Sequence, residues 1–491
     1  MARGGVVIDV GIIGAGPTGL MLACELAMRG VSCRIFERRT TTPNITRAFA
    51  VHARTLELLD TRDLAGQVLA RGKAMGTLAP LPGVSMDLNT IDSSFPMVVM
   101  VAQSGTEAVL EQRARELGVE IVRGAELVGL EQDDLAHLRF ADGSSESARY
   151  VVGCDGAHSA VRSFLGVDFV GEQYQTHIML ADVLLDPPEN SPMFARFNRD
   201  GLVLVLPFED GYFRVIAWDL KNEDVPLDKP LELEEVRSVA RRVCGSDYGI
   251  RDPRWMSRFL SERRQAAKYR VGRVFLAGDA AHVHSPIGGQ GMNTGIQDAM
   301  NLGWKLTEVL RGQTSNHLLD TYESERHPVG AQVLALTDGL TKLTLSRSRI
   351  RQAVQPMLLR GVLTIPLIRD RFLGRGTGIG IAYARQPGEH PLVGTRVRDY
   401  GSAPRLYEVM RDGKFVLLDG TGGAVHEVTA PWAQRVNVFP LERTARGPSA
   451  VLVRPDGYVG WATDADGSRV SQELPSVLNQ WLGTAQAAST Q

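Results

Sequence analysis

Cysteine is scarce in this chain. There are four in 491 residues, Cys24, Cys33, Cys154 and Cys244, with no CxxC and no metal-ligand spacing. A disulfide framework and a zinc site are therefore excluded, and the usage suits a reducing cytoplasm. A basic excess is also missing: 54 Lys and Arg against 56 Asp and Glu leave a net charge of −2. No positive field is left to attract nucleic acid. No apolar run approaches the ~18 residues that a membrane span needs, so no membrane partner is expected. The N-terminal MARGGVVIDVGIIGAG has a basic residue ahead of an apolar run, but Asp9 interrupts it, so a signal peptide is not expected. Repeats and low-complexity tracts are absent. What remains is a globular chain, 44% hydrophobic, long enough for two or three domains.

The most informative stretch is 272–306, GRVFLAGDAAHVHSPIGGQGMNTGIQDAMNLGWKL. Val274–Ala277 is a short apolar run that reads as a buried strand. It breaks at Gly278-Asp279, passes Pro286 and the loop Gly288-Gly289-Gln290-Gly291, and becomes helical near Met292 and Asn293. Strand, glycine loop and helix aim backbone N–H groups at an anion or an electron-rich ring. Asp279, at the strand's end, is placed to accept a hydrogen bond from a polyol hydroxyl.

A second motif opens the chain. Val6–Ile13 is strand-like and runs into Gly14-Ala15-Gly16-Pro17-Thr18-Gly19 and a helical pattern. A second apolar segment, Cys33–Phe36, ends in Glu37, followed by Arg38. G-x-G-x-x-G between strand and helix, with an acid about 20 positions on, fits the pyrophosphate and ribose of an ADP-containing cofactor. The fingerprint alone is silent on FAD versus NAD. A third motif follows the strand Tyr150–Gly153: Cys154-Asp155-Gly156-Ala157-His158-Ser159-Ala160-Val161-Arg162. Asp155 can take a hydroxyl or order a turn, and Arg162 can meet a phosphate. Gly374–Gly378 also spells GxGxG, but no strand is expected before it and no helix after it, so it reads as a flexible loop.

GDAAHxxxPxGGQGxNxxxxDAxNLxWKL resembles the second flavin motif of the single-component, NAD(P)H-dependent aromatic hydroxylases, the group A flavoprotein monooxygenases. The order GxGxxG, DGxxSxVR, GD strengthens the resemblance, as does Tyr322-Glu323-Ser324-Glu325-Arg326-His327-Pro328, which is similar to the family's YExERxP packing element. The resemblance implies FAD, with Asp279 on the ribityl chain and the 286–293 loop and helix start over the isoalloxazine. It implies that Arg47 of RAxxxxxRTLExL lies near isoalloxazine or substrate, with Arg54 opening a helix. Gln103, ahead of the expected helix Glu107–Leu117, would reach the flavin side chain, although Ala102 stands where the family usually has proline. Leu127 would put its backbone near adenine. RPDGYVxW at 454–461 resembles the thioredoxin-like C-terminal domain of phenol- and polyketide-hydroxylase relatives; the last cysteine is Cys244, so no dithiol chemistry is possible there.

The expected fold is α/β: a Rossmann-like FAD-binding domain (1–175 and 267–390, with a helical extension), an inserted antiparallel-sheet substrate domain (176–266), and a thioredoxin-like C-terminal domain (391–491). Ile178–Leu185, Met193–Asn198, Leu202–Phe208 and Tyr212–Asp219 read as strands of the insert, the last two joined at Glu209-Asp210-Gly211, with a helix over Leu231–Cys244. Met193, Phe197, Phe208, Phe213 and Trp218 are candidates for a substrate wall. The arginine-bearing stretch Ser346–Arg360 reads as a solvated or subunit face, as in a homodimer. The resemblance implies that NADPH or NADH reduces FAD, that reduced flavin captures O2 as a C4a-hydroperoxide, and that oxygen passes to an aromatic, polyketide- or antibiotic-type phenol. A single dinucleotide fingerprint means that NAD(P)H visits a groove near the flavin, assisted by Arg47 or Arg162. Baeyer–Villiger oxygenation on the same scaffold, or flavin binding without catalysis, are the alternatives. A flavin halogenase is excluded, since no two tryptophans lie two apart.

Overall fold

A computed structural model describes residues 7–41, 48–81, 84–188, 193–208, 210–222, 225–226, 229–344, 349–401, 404–442 and 447–484. Arg47 lies outside the described residues, as do Val6, Glu209 and Ser346.

The larger sheet has eight strands. Its parallel run, in spatial order, is Val274–Leu276, Ser145–Gly153, Ile8–Ile13, Cys33–Glu37 and Glu120–Arg123. Their apolar residues form the core: Val10, Ile12, Ile35, Val151, Val152, Val274 and Phe275 are fully buried. The helices Pro17–Ala27 and Gln290–Leu310 pack on each other, with Leu20, Met21, Ile296, Ala299 and Met300 fully buried. The strands end in step: Gly14 N donates to Phe36 O (2.8 Å), Cys154 N to Ile13 O (2.8 Å), and Ala277 N to Gly153 O (3.0 Å). The three sequence motifs therefore converge on the carboxyl edge of one parallel sheet, where α/β folds bind ligands.

The second sheet has six strands in the order Phe194–Asn198, Gly201–Pro207, Phe213–Asp219, Phe169–Leu184, Arg251–Ala266, His282–Val283. Alternation sorts its side chains. Ile178, Leu180, Leu202, Ile216 and Trp218 face one core, while Met179, Ala181, Val203, Val215 and Ala217 face another, covered by the helix Leu233–Cys244. Phe213 belongs with the second group, so it does not line the expected wall; Phe208 and Trp218 belong with the first, and Met193 and Phe197 pack against it. The sheet also begins earlier than residue 176 and captures His282–Val283, which pairs with Arg264 and Gln265. The strand Arg251–Ala266 has no apolar alternation to announce it; pairing with Phe169–Leu184 along most of its length makes it a strand.

Beyond Leu310 come helices Asp320–Thr344, Arg349–Leu363 and Pro366–Thr377. The Gly374–Gly378 segment is the end of the last of these, not a loop. Gly378, at φ 80°, caps the helix, and Gly374 and Gly380 lie backbone to backbone.

The C-terminal unit is a four-stranded sheet ordered Val436–Pro440, Phe415–Asp419, Ala450–Val453, Val459–Thr463, the first pair parallel and the others antiparallel, with helix Gly467–Leu482 packed on it. Arg54, expected to open a helix, stands in the first turn of helix Ala53–Asp60 and is fully buried. It pairs with Glu57 (3.1 Å) and donates to the carbonyl of Asp456 (2.9 Å), joining the first unit to the last.

Candidate functional site

A cleft of about 480 Å3 runs along the carboxyl edge of the parallel sheet. Gly14, Gly16, Pro17, Thr18, Glu37, Arg38, Gln103, Leu127, Asp155, Asp279, Pro286, Gly289, Gln290, Gly291 and Met292 all line it. These positions span residues 14 to 292, and only the fold brings them together.

The first βα turn is built for close approach. Gly14 sits at φ 107°, and a Cβ there would lie 2.5 Å from the carbonyl oxygen of Cys154. Gly16 is different: a Cβ there would meet nothing within 4 Å, because it faces the open cleft at the N-terminus of helix Pro17–Ala27. The first amides of that helix have no intrahelical acceptor, which makes this end attractive to a phosphate. Glu37 is buried and accepts from the amides of Ala15 (2.8 Å) and Arg39 (3.0 Å), so it also holds the turn it faces.

Asp155 orders its own turn, accepting from Ser159 Oγ (2.5 Å) and Val161 N (3.1 Å); burial raises its pKa above the usual carboxylate range. Gln103 accepts from Ala48 N (3.1 Å) and donates to Glu107 Oε1 (2.7 Å). Glu107 also lines the cleft, and burial pushes its carboxyl up to about 7. Gln290 donates to Gly376 O (2.8 Å), tying the glycine loop to the helix Pro366–Thr377.

Four expected residues lie just behind the cleft. Gly19 packs on Gly14, and Gly278 on Thr18. Gly288 faces a second cavity. Asn293 donates to Ala50 O (2.9 Å) and Gly289 O (2.8 Å) and accepts from His52 N (2.9 Å), so its amide holds the loop in place. Arg162 is committed elsewhere. It donates to Ala280 O (2.9 Å) and Ala157 O (2.7 Å) and lies 3.7 Å over the Phe169 ring, which leaves it little freedom for a phosphate.

Sequence reasoning missed two groups. Gln173, Arg258, Ser261 and Glu262 form a wall of the cleft from the second sheet, on strands whose pairing is long-range. Asp298, fully buried, accepts from Gly278 N (3.0 Å), His282 Nε2 (2.7 Å) and Arg326 Nε (2.7 Å), fixing the backbone that presents Asp279. Its only sequence signal was its place as the acid of DAxNLxWKL in the motif that begins at Gly278.

The cleft fits FAD on its own features: an acid at the second strand's end, an open glycine at a helix N-terminus, and Asp279 beyond them. Arg258 Nε, Ser261 Oγ and His284 Nε2 are buried around it without a protein partner. Buried polar atoms are rarely left so unless something else satisfies them.

A second cavity, about 100 Å3 and mostly apolar, lies across the 286–290 loop between the second sheet and the helices Asp320–Thr344 and Pro366–Thr377. Phe49, Pro286 and Gln290 line both spaces, so the loop is their common wall. No described helix is long and apolar enough to cross a membrane.

Residues 7–337 match the model of the FAD binding domain family, and residues 390–485 that of the aromatic-ring hydroxylase C-terminal family. A rifampicin monooxygenase from Streptomyces venezuelae is 39% identical, with 98% of this chain and all of the relative covered. The structure of OxyS anhydrotetracycline hydroxylase from Streptomyces rimosus superposes with a TM-score of 0.87 at 35% identity, covering 98% of this chain and 100% of that one. A dialkyldecalin synthase from Streptomyces rugosporus is 35% identical over 96% of this chain and 98% of its own length.

Proposed function

The chain belongs to the FAD-dependent aromatic-ring hydroxylases, and from that membership we propose that this monooxygenase hydroxylates a phenolic, polyketide-type aromatic held in the cavity across the 286–290 loop. The single observation carrying this reading is the shared wall. Pro286 and Gln290 border the dinucleotide cleft on one side and an apolar, enclosed space on the other. A ring in that space would be separated from the dinucleotide cleft by that loop.

Bound FAD, reduced by NAD(P)H, supplies the activation of O2 and the oxygen atom. The chain supplies position and dryness. The first-turn amides of helix Pro17–Ala27 would hold the pyrophosphate, Glu37 the ribose, and Asp279 a ribityl hydroxyl. Gln290, tied to Gly376, and Asn293, tied to Ala50, would keep the loop still while a ring docks on it. Leu202, Leu204, Ile216 and Leu340 would exclude water from the reacting face. Arg47 is proposed, on the resemblance alone, as the side chain that meets nicotinamide or substrate.

The domain roles follow from the same reading. Residues 1–175 and 267–390 bind FAD, and 176–266 supply the substrate wall. The C-terminal unit, from 391, is proposed as thioredoxin-like: a parallel strand pair joined through helical turns and then an antiparallel hairpin and helix, which is that fold's order.

The test is oxygen transfer. Purified protein with NAD(P)H and a panel of anthracycline-, angucycline- and naphthol-like phenols under labelled O2 should yield a product carrying one labelled atom. Label found only in peroxide across the panel would overturn the reading. A Baeyer–Villiger product would also carry one labelled atom, but as an ester.

A further inference from the structure

The apolar cavity contains two polar groups that nothing in the protein satisfies. His52 is buried at the head of helix Ala53–Asp60, and neither ring nitrogen has a hydrogen-bond partner. Its ring leans on the backbone of Gly288 and Gly289 without reaching hydrogen-bond geometry with either. Trp218 is buried on the strand Phe213–Asp219, between Ile178 and Leu202 on its neighbours, and its indole N–H is likewise unpartnered.

Both line the same cavity. The other polar side chains there are committed within the protein: Gln290 to Gly376 O, and Thr337 Oγ1 to Val333 O (2.9 Å). His52 is the one ionisable side chain among the described lining residues. Leaving such groups unpaired in an apolar space is costly, and a ligand that pairs them recovers that cost on binding. Burial pushes the His52 pKa down to about 4, so at neutral pH the ring is uncharged and keeps one nitrogen as an acceptor. The Trp218 indole can only donate.

We propose that this cavity selects an aromatic ring bearing two oxygens, a hydroxyl that donates to His52 and a second oxygen that accepts from the Trp218 N–H. The inference rests on reading the cavity as the substrate site and adds the chemistry by which that site chooses. An unsubstituted arene, or a ring with only one of the two oxygens, leaves one buried group unpaired and is discriminated against. His52 and Trp218 thus set the orientation of the ring as well as its identity.

The experiment is binding to the FAD-loaded protein, followed by the shift in flavin absorbance, with three probes: 6-hydroxy-2-acetylnaphthalene, 2-acetylnaphthalene and 2-naphthol. The wild type should bind the first about tenfold more tightly than either of the others. His52→Leu should abolish the preference over 2-acetylnaphthalene. His52→Gln, which keeps an acceptor, should restore part of it. Trp218→Phe should abolish the preference over 2-naphthol. FAD content of each variant reports whether the fold survives, and the three-way comparison in the wild type stands without any variant. The proposal is overturned if the wild type shows no preference or binds none of the probes, or if the variants keep the wild-type ranking. Mass analysis of the same mixtures with NAD(P)H separates the two readings. Ring oxygenation without the binding preference sinks only this inference. The preference without oxygen transfer sinks the hydroxylase reading of the cavity.

Discussion

Arg454 closes a two-pronged ion pair on Glu325, Nη1 to Oε1 at 2.6 Å and Nη2 to Oε2 at 2.8 Å, across 129 positions of the chain. Lys305, on the same helix that starts at the glycine loop, reaches the same carboxylate at 2.8 Å. Asp456 adds a second acid to Arg454 at 2.5 Å. Burial alone would raise the Glu325 carboxyl, but Arg454 and Lys305 together hold it well below the usual range. Burial also pushes Lys305 down to about 8. Arg62 repeats the pattern nearby, pairing with Glu25 while donating to the carbonyls of Met410 (3.1 Å) and Pro455 (2.9 Å). The C-terminal unit is thus docked through buried charge, and one end of that network is the helix Gln290–Leu310.

This changes what truncation should do. From sequence, a chain ending near residue 390 should still bind FAD, since all three flavin motifs precede residue 307. The structure argues otherwise: the cut would take Arg454 from Glu325 and backbone acceptors from Arg54 and Arg62, and would uncover Trp304, which is fully buried against Phe415. The fragment 1–390 is expected to be insoluble or poorly folded. In the full chain, Arg454→Ala should lower stability by roughly 3–5 kcal/mol in denaturant unfolding, since it takes the ion-pair partner from buried Asp456 and leaves Glu325 to Lys305 and Asn301 alone. Arg454→Lys should recover only part, having no planar fork. A soluble 1–390 fragment with one FAD per chain would refute this.

Removing either of two acids along the cleft, Asp279 or Glu37, should weaken cofactor binding without unfolding the protein. Asp279→Ala removes a proposed charge-assisted bond to the ribityl chain, worth ~1.5–3 kcal/mol. Glu37→Ala should cost more in stability than Asp279→Ala, because Glu37 also accepts from Ala15 N and Arg39 N. The check is FAD titration of apoprotein beside thermal melting. Either variant binding FAD as tightly as the wild type would remove that residue from the cofactor's contacts.

Glu107 makes the cleft sensitive to pH. Its folded pKa of about 7 exceeds the ordinary 4.5, so between those values the folded chain keeps a proton that the unfolded chain has released. That contribution to stability is complete below about 4.5 and is lost as pH rises through about 7. Deprotonation also puts a negative charge in a cleft that is to hold a pyrophosphate. FAD affinity should therefore fall between about pH 6 and about pH 8, by at most ~10-fold per pH unit for one proton. Glu107→Gln should flatten the profile. An equally steep profile in Glu107→Gln would assign the titration to another group.

What the sequence revealed follows from how local each signal is. The three flavin motifs are contiguous strand–turn–helix units whose glycines and acids carry their own geometry, so Gly14, Glu37, Asp155 and Asp279 were legible and the structure gathers them in one cleft. Arg54 was not, because its burial depends on Asp456, 402 positions away. The strand Arg251–Ala266 was not, because its polar residues face a cleft that exists only once Phe169–Leu184 lies beside it. Gly374–Gly378 misled because glycines at a helix end spell the same letters as a turn. Trp218 was named from its strand as a candidate for a substrate wall, whereas His52 carried no signal of its own; only a shared cavity links the two.

The two glycines of the first turn should fail in different ways, and the contrast separates folding from binding. Gly14 is left-handed at φ 107°, and any Cβ would press on the carbonyl of Cys154, the backbone that presents Asp155. Gly14→Ala therefore has no cheap relaxation and should lower the melting temperature of apoprotein and holoprotein alike. Gly16 has ordinary extended angles, φ −78° and ψ 177°, and an added methyl would meet only open space. Gly16→Ala should leave the apoprotein's melting temperature unchanged. It should nevertheless weaken FAD binding by tenfold or more, because that open space is where a pyrophosphate must approach the helix amides. The measurement is melting with and without added FAD. The wild type should be stabilised by the cofactor, Gly16→Ala much less so at the same concentration, and the difference should shrink as FAD is raised, since ligand stabilisation follows mass action. If Gly16→Ala gained as much stability from FAD as the wild type, the pyrophosphate would have to lie elsewhere, and the helix Pro17–Ala27 would lose its proposed role.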